Sequence, residues 1–151
     1  MKKEHFSIKI KAPKEKVWNV LWNDDTYRKW TEVFSEGSHA VTDWKEGSEV
    51  LFLSEDGKGM YSAIDKKIPN EYMSFKHLGV VKDKEKQPMD EETKEWSGAR
   101  EDYSLKESDG VTELSVAMDI AESYEDYFKN TFPKALEKVK ELSENQNTVE
   151  S

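Results

Sequence analysis

The order in which hydrophobic patterns follow one another constrains this chain more than any single residue does. A short alternating segment runs straight into a proline-opened amphipathic stretch, IKIKAPKEKVWNVLW, from Ile8 to Trp22. A long series of strand-like segments follows, and one strong amphipathic helix closes the pattern from Tyr124 to about Leu142. One strand and helix, then only strands, then one helix, predicts an α+β domain: an antiparallel sheet with its helices on one face. A strongly curved sheet around a long helix is expected to leave an internal cavity.

The local signals agree with that order. Phe6, Ile8 and Ile10 alternate with Ser7, Lys9 and Lys11, which predicts a strand with one wet face. Pro13 sits where a helix tolerates it, in the first turn, and Val17, Trp18, Val20, Leu21 and Trp22 supply the apolar stripe. Asn23-Asp24-Asp25 ends that helix, and one of the aspartates is expected to cap a second short helix through Trp30. Turn residues then divide the middle of the chain into expected strands at Ser38–Trp44, Ser48–Ser54, Lys58–Ile68, Glu71–Val80, Gly98–Glu107 and Val111–Ile120. Asp56-Gly57 and Asp109-Gly110 are hairpin signals, so a meander is the simplest topology. Ser123 is the expected cap of the closing helix, whose apolar face runs through Tyr124, Phe128, Phe132, Leu136, Val139 and Leu142. Pro133 interrupts it, removes a hydrogen bond to Lys129 and predicts a kink. Lys82–Glu95 is almost entirely charged and reads as a mobile lid or solvated loop. The reading is one domain over residues 1–143 with a disordered tail at 144–151.

The 151 residues suffice for one core without staples. There is no cysteine, which excludes disulfides and thiolate metal sites and suits a reducing compartment. The first residues carry lysines but no apolar run of a secretory signal, so a soluble cytoplasmic protein is expected. A net charge of −9 argues against nucleic acid and anionic membrane surfaces as partners and disfavours anionic ligands. Arg28 and Arg100 are the only arginines, so bidentate phosphate recognition has few sources. Aromatic residues make up 11% of the chain and include five tryptophans, enough to furnish a core despite 36% charged residues.

His5, His39 and His77 are scattered, with no helical metal-site spacing, so no metal and no cofactor is expected. His77 shares a strand face with Met73 and Phe75, toward the interior, either as a hydrogen-bonded rim residue or as a working one. Alternation with Tyr103 and Leu105 likewise turns Glu101 inward, where it would be a ligand hook or an acid, or else a solvated strand end. Arg100 and Asp102 then point outward. Trp18, Trp22, Trp30, Tyr61, Phe75, Tyr103, Phe128 and Phe132 are either core or the walls of an apolar pocket, with Trp18 read as core and Trp30 near the mouth. No glycine-rich phosphate loop, G-x-S-x-G or HExxH motif occurs.

The opening IKIKAPKEKVWNVLWNDDTYRKW resembles the start of the START-like (SRPBCC, polyketide cyclase/lipid transfer) helix-grip superfamily, where a strand passes through an alanine-proline step into a helix bearing a Val-Trp pair. GKGMYSAIDKKIPNEYMSFKH resembles its glycine–strand–proline–strand segment, and YSLKESDGVTELSV its penultimate hairpin. The nearest branch is similar to the heat-shock-chaperone ATPase activator homologues. The resemblance implies a curved antiparallel sheet of about seven strands wrapped around a long C-terminal helix, with two short helices after the first strand. It also implies a hydrophobic cavity, since members bind lipids, sterols or polyketides, catalyse cyclisations, or activate a chaperone. The insert at Lys82–Glu95 and Pro133 depart from the pattern, near the expected cavity mouth. A carrier or sensor for an apolar or amphipathic small molecule is the first functional expectation. The ligand contacts would be Trp30, Tyr61, Phe75, His77, Glu101, Tyr103, Phe128 and Phe132. A chaperone-cofactor or other protein-interaction module is the second, and a cyclase-type enzyme the third; no titratable pair singles out a catalytic role.

Overall fold

The computed structural model describes residues 2–83 and 85–145. Strand β1 (Lys2–Ile10) leads into helices α1 (Lys14–Trp22) and α2 (Asp24–Thr31). Strands β2 (His39–Val41), β3 (Glu49–Leu53), β4 (Gly59–Ile68), β5 (Tyr72–Lys82) and β6 (Glu85–Lys86) follow. A single-turn helix α3 (Glu91–Lys94), strands β7 (Arg100–Ser108) and β8 (Val111–Ile120), a 3-10 turn at Glu122–Tyr124 and helix α4 (Glu125–Glu144) complete the order. The sheet runs β1-β8-β7-β5-β4-β3-β2, antiparallel throughout, with β6 pairing on β5. The predicted α+β architecture, a sheet gripping a long C-terminal helix, is present.

Alternation decides which face meets the helices. Tyr103 pairs with Val116 and Leu105 with Leu114 across β7 and β8, and all four side chains are buried. Asp109 and Gly110 both take positive φ, 53° and 78°, the backbone that a two-residue hairpin turn requires. On β1, Phe6, Ile8 and Ile10 continue that inner face opposite Val116, Leu114 and Thr112. Helix α4 lays Phe132, Ala135, Leu136, Val139 and Leu142 onto it, and the Phe6 and Phe132 rings stack with centroids 4.9 Å apart. Pro133 is exposed, so the Lys129 carbonyl that loses its helical partner lies on the solvent side, where the loss costs least.

Two bulges interrupt the β4–β5 ladder. Tyr61 opposes Gly79 but Ser62 opposes His77, which leaves Leu78 as the extra residue on β5. Ile64 opposes Phe75 but Lys66 opposes Ser74, which leaves Asp65 as the extra residue on β4. Bulges bend a sheet and raise its local twist, and these sit where the sheet passes around the helices. The displaced Asp65 carboxylate reaches Arg100 on the outer face, 2.9 Å from Nη2, and the same nitrogen donates to Ser74 Oγ at 2.7 Å. Arg100 and Asp102 therefore face outward, as alternation predicts.

Several boundary expectations fail for local reasons. The strand expected at Ser38–Trp44 is only His39–Val41; the chain bends at Thr42, and Trp44 takes φ 61° with its ring against Trp22, 5.4 Å between centroids. Asn23, not an aspartate, precedes α2, with no side-chain cap. Ser123 lies within the 3-10 turn and Tyr124 occupies the cap position of α4, also without a side-chain cap. The insert at Lys82–Glu95 is not an open loop: Lys82 and Val81 pair with Glu85 and Lys86, and Asp90 Oδ1 accepts from the Thr93 amide at 2.8 Å to start α3. Thr93 is buried, and Tyr124 Oη donates to Glu92 Oε1 at 2.8 Å, tying α3 to the start of α4. Charge composition misleads here because each anchor is a single residue. Helix α4 also continues past the expected domain end at 143, with Ser143 buried. Residues 146–151 of the expected tail lie outside the described residues.

Two outcomes follow from this packing. In amide exchange, Thr93, Ser97 and Gly98, which donate to Asp90 Oδ1, the Thr93 carbonyl and the His77 carbonyl, should be protected relative to Met89–Glu92; exchange at the free-peptide rate across all of them would mean that the insert is open. Phe132→Ala should cost about 3–5 kcal/mol in denaturant unfolding, since the ring is 1% exposed. Phe128→Ala, half-buried one turn earlier, should cost roughly 1–2 kcal/mol; equal losses would contradict this division of the helix face.

Candidate functional site

A cavity of about 480 Å³ lies between the sheet, α2 and the first turns of α4. Its deep wall is aromatic: Trp22, Trp30, Phe75, Tyr103 and Phe132 all line it and all are buried. Ser35, Lys58 and Tyr127 line it as well and are exposed, which marks the mouth. Trp96, at the end of the insert, and Tyr124 also contribute walls. The insert therefore stands beside the cavity, but as ordered structure.

One polar chain crosses the inner face of the sheet, perpendicular to the strands. Between the bulges at Asp65 and Leu78, Ser62 of β4 lies directly opposite His77 of β5, and Ser62 Oγ lies 2.6 Å from His77 Nδ1. Glu101 of β7 pairs with Phe75, diagonal to His77, and its Oε1 lies 2.9 Å from His77 Nε2. Tyr103, two residues along the same face, donates its phenol to Glu101 Oε2. Glu101 can only accept, so His77 carries its proton on Nε2, and Nδ1 accepts from the Ser62 hydroxyl in the neutral ring. The backbone holds this arrangement, since the His77 amide donates to the Ala99 carbonyl at 2.8 Å and the Gly98 amide to the His77 carbonyl at 2.7 Å.

The electrostatics of the chain have clear directions. Burial pushes the Tyr103 phenol well above its ordinary pKa, and the negative charge of Glu101 pushes it further. Burial, then Glu101, raises Tyr27 as well. Both phenols remain protonated donors throughout the physiological range. Ser62 is fully buried behind His77 and does not line the cavity, whereas His77, Glu101 and Tyr103 do. The Ser–His–Glu sequence of contacts therefore presents its carboxylate, not its hydroxyl, to the open space. A serine nucleophile would need the opposite order. Among the described residues, no group of three or more histidines, aspartates or glutamates could hold a metal ion.

Seven of the eight residues singled out from the sequence line the cavity: Trp30, Phe75, His77, Glu101, Tyr103, Phe128 and Phe132. Tyr61 does not. Ser62 and Ile64 face inward, so alternation turns Tyr61 to the outer face, where its ring covers Gly79 and the Lys86 ammonium sits 4.9 Å above it. A Cβ on Gly79 would come within 2.5 Å of that ring. Trp30 lines the deep wall, not the mouth: it is 2% exposed and its indole donates to the Leu21 carbonyl at 3.1 Å. The sequence reading missed Ser62, Tyr27, Phe34, Phe52 and Trp96. Ser62 was within reach, because inward Ile64 implies inward Ser62; Tyr27, Phe34, Phe52 and Trp96 depend on how α2, β3 and the insert fold over the sheet. Trp22 also lines the cavity, and its indole N–H is buried with no partner among the described residues.

The comparisons agree with the geometry. The chain resembles the Aha1 dimer from Colwellia psychrerythraea, with a TM-score of 0.73 at 21% identity, over 95% of this chain and 97% of that one. It resembles ChR145 from Cytophaga hutchinsonii with a TM-score of 0.69 at 19% identity, over 100% and 98% of the two chains. It also resembles DynU16, a protein of the dynemicin biosynthetic locus, with a TM-score of 0.70 at 12% identity, over 95% of this chain and 47% of that one. At these identities the likeness is one of fold. No curated protein matches the sequence. The family model described as "Activator of Hsp90 ATPase homolog 1-like protein" matches residues 11–144, and the chain belongs to that family.

Proposed function

We propose that the protein holds an apolar or amphipathic small molecule in the cavity between the sheet and α4, as a carrier or sensor. The observation that supports this reading best is the cavity itself. Its volume of about 480 Å³ falls in the range of small-molecule sites, and aromatic walls with a few polar groups are what such sites use. A core of the same residues packed to ordinary density would leave no space of that size. The unpartnered Trp22 indole N–H adds a second argument. A buried donor without an acceptor costs free energy, and an acceptor on a bound molecule would recover it. Binding would be driven by apolar burial, roughly 25 cal/mol per Å², and oriented by His77, Glu101 and Tyr103.

The chaperone-cofactor reading draws support from the family model's description and from the Aha1 neighbour. It would use the acidic exterior and leave the cavity without a role. A cyclase-type reaction would draw on His77, Glu101 and Tyr103, the hydrogen-bonded titratable groups that line the cavity.

Titration with a sterol, a long-chain alcohol and a flavonoid, followed by amide chemical shifts, separates these readings. The carrier reading expects at least one to shift Phe75, Glu101, Tyr103 and Phe132 while the outer-face Asp65–Ser74–Arg100 cluster stays still. Native mass spectrometry of the protein from its host should retain a small molecule. Shifts at no lining residue with any probe, together with an empty native protein, would sink the carrier reading in favour of the interaction module.

A further inference from the structure

Among the described residues, Glu101 presents its carboxyl group to the cavity with no lysine or arginine paired to it, whereas the other lining carboxylate, Asp119, lies 3.8 Å from the Lys3 ammonium. The two hydrogen-bond partners of Glu101 are the His77 imidazole and the Tyr103 phenol, and a phenol donates without cancelling a charge. Among the described residues, His77 is the only basic side chain paired with Glu101. Arg100, its neighbour in sequence, is committed to Asp65 and Ser74 on the opposite face. The one lysine of the lining, Lys58, is exposed at the mouth. Each carboxylate oxygen accepts one bond and retains room for another. The Glu101 side chain is 17% exposed, so that capacity faces the open space.

The walls around this carboxylate favour the same sign of charge. Phe75 and Tyr103 line the cavity on either side of Glu101, and Trp22 meets Tyr103 edge-on with centroids 5.0 Å apart. Aromatic faces attract cations, more strongly when water is excluded. The low dielectric of a buried site strengthens a charge–charge contact as well. The net charge of −9 adds a long-range field that draws cations and repels anions.

We propose that the cavity selects an amphipathic ligand with an aromatic or apolar body and a protonated amine, whose ammonium group sits against Glu101 among the aromatic rings. The proposal rests on the reading of the cavity as a ligand site and adds the charge of the ligand to it. Its body would replace empty space along Trp30 and Phe132, and its N–H groups would take the free acceptor positions of Glu101.

Three probes of one shape test it: 1-naphthylmethylamine, 1-naphthylmethanol and 1-naphthoate, measured by calorimetry at neutral pH and located by amide shifts. The wild-type protein should bind the amine about tenfold more tightly than the alcohol, and the carboxylate least. Glu101→Gln, which keeps the shape but removes the charge and replaces one of the two acceptor oxygens by a donor, should bring the amine-to-alcohol ratio close to one. The wild-type ratio decides the matter even if the variant fails to fold. Equal wild-type affinities for amine and alcohol would overturn the charge selection and leave the carrier reading standing. Amine shifts confined to surface carboxylates would also overturn it. Failure of all three probes to shift any lining residue would remove the carrier reading with it.

Discussion

A carboxylate placed inside an aromatic interior must be given hydrogen bonds, and that requirement organises this molecule. Water no longer solvates Glu101 on most sides, and an ionised carboxylate left without partners there would cost more than the fold can supply. The chain answers with a line of donors drawn from three strands. Tyr103 comes from the same strand as Glu101, His77 from the next, and Ser62 from the one beyond, where it completes the imidazole. Each member has a fixed place only because the strands hold register, and the register at Ser62 and His77 is that of the short stretch between the bulges at Asp65 and Leu78. Remove any member and the others lose their orientation as well as a bond.

The same three strands carry a second polar cluster on the outer face, Asp65, Ser74 and Arg100 with Asp102. The two faces differ in what the interaction is worth. Arg100 and Asp65 are 37% and 46% exposed in their side chains, so solvent and salt screen that pair and its contribution is small. The inner chain is protected from solvent, so it is stronger when satisfied and more costly when broken. The outer cluster clamps register; the inner one shapes a site.

Most of the fold was legible in the sequence because it depends on period and order. Alternation in Val111–Ile120 and the 3.6-residue stripe of α4 identified the layers, and alternation alone turned His77 and Glu101 inward. The errors arose where one residue overrode a composition. Lys82–Glu95 looks like solvated chain, yet Asp90 caps α3 and Thr93 is buried beneath it, so its described residues are tied into the fold at single points. β2 stops at Val41, and Trp44 beyond it takes a left-handed backbone with its ring packed against Trp22, which alternation could not reveal. Tyr61 was misplaced among the ligand contacts because a tyrosine near a pocket invites inclusion, although inward Ile64 already excluded it. The link from Ser62 to His77 was not legible as a bond, since a bulge position cannot be read from alternation.

The extra residue at Leu78 also makes chain length an informational variable. On either side of it the inward set keeps its own phase, so β5 is two short alternating words joined by one unpaired letter. A substitution at Leu78 would alter one side chain, whereas its deletion would place Gly79 directly after His77, opposite the consecutive Tyr61 and Ser62, and turn the bulge into a regular ladder with both halves on their present faces. A deletion within either paired half has no such outlet and would force part of the strand to exchange its faces. Among homologous chains, single-residue length changes in β5 should therefore concentrate at this point.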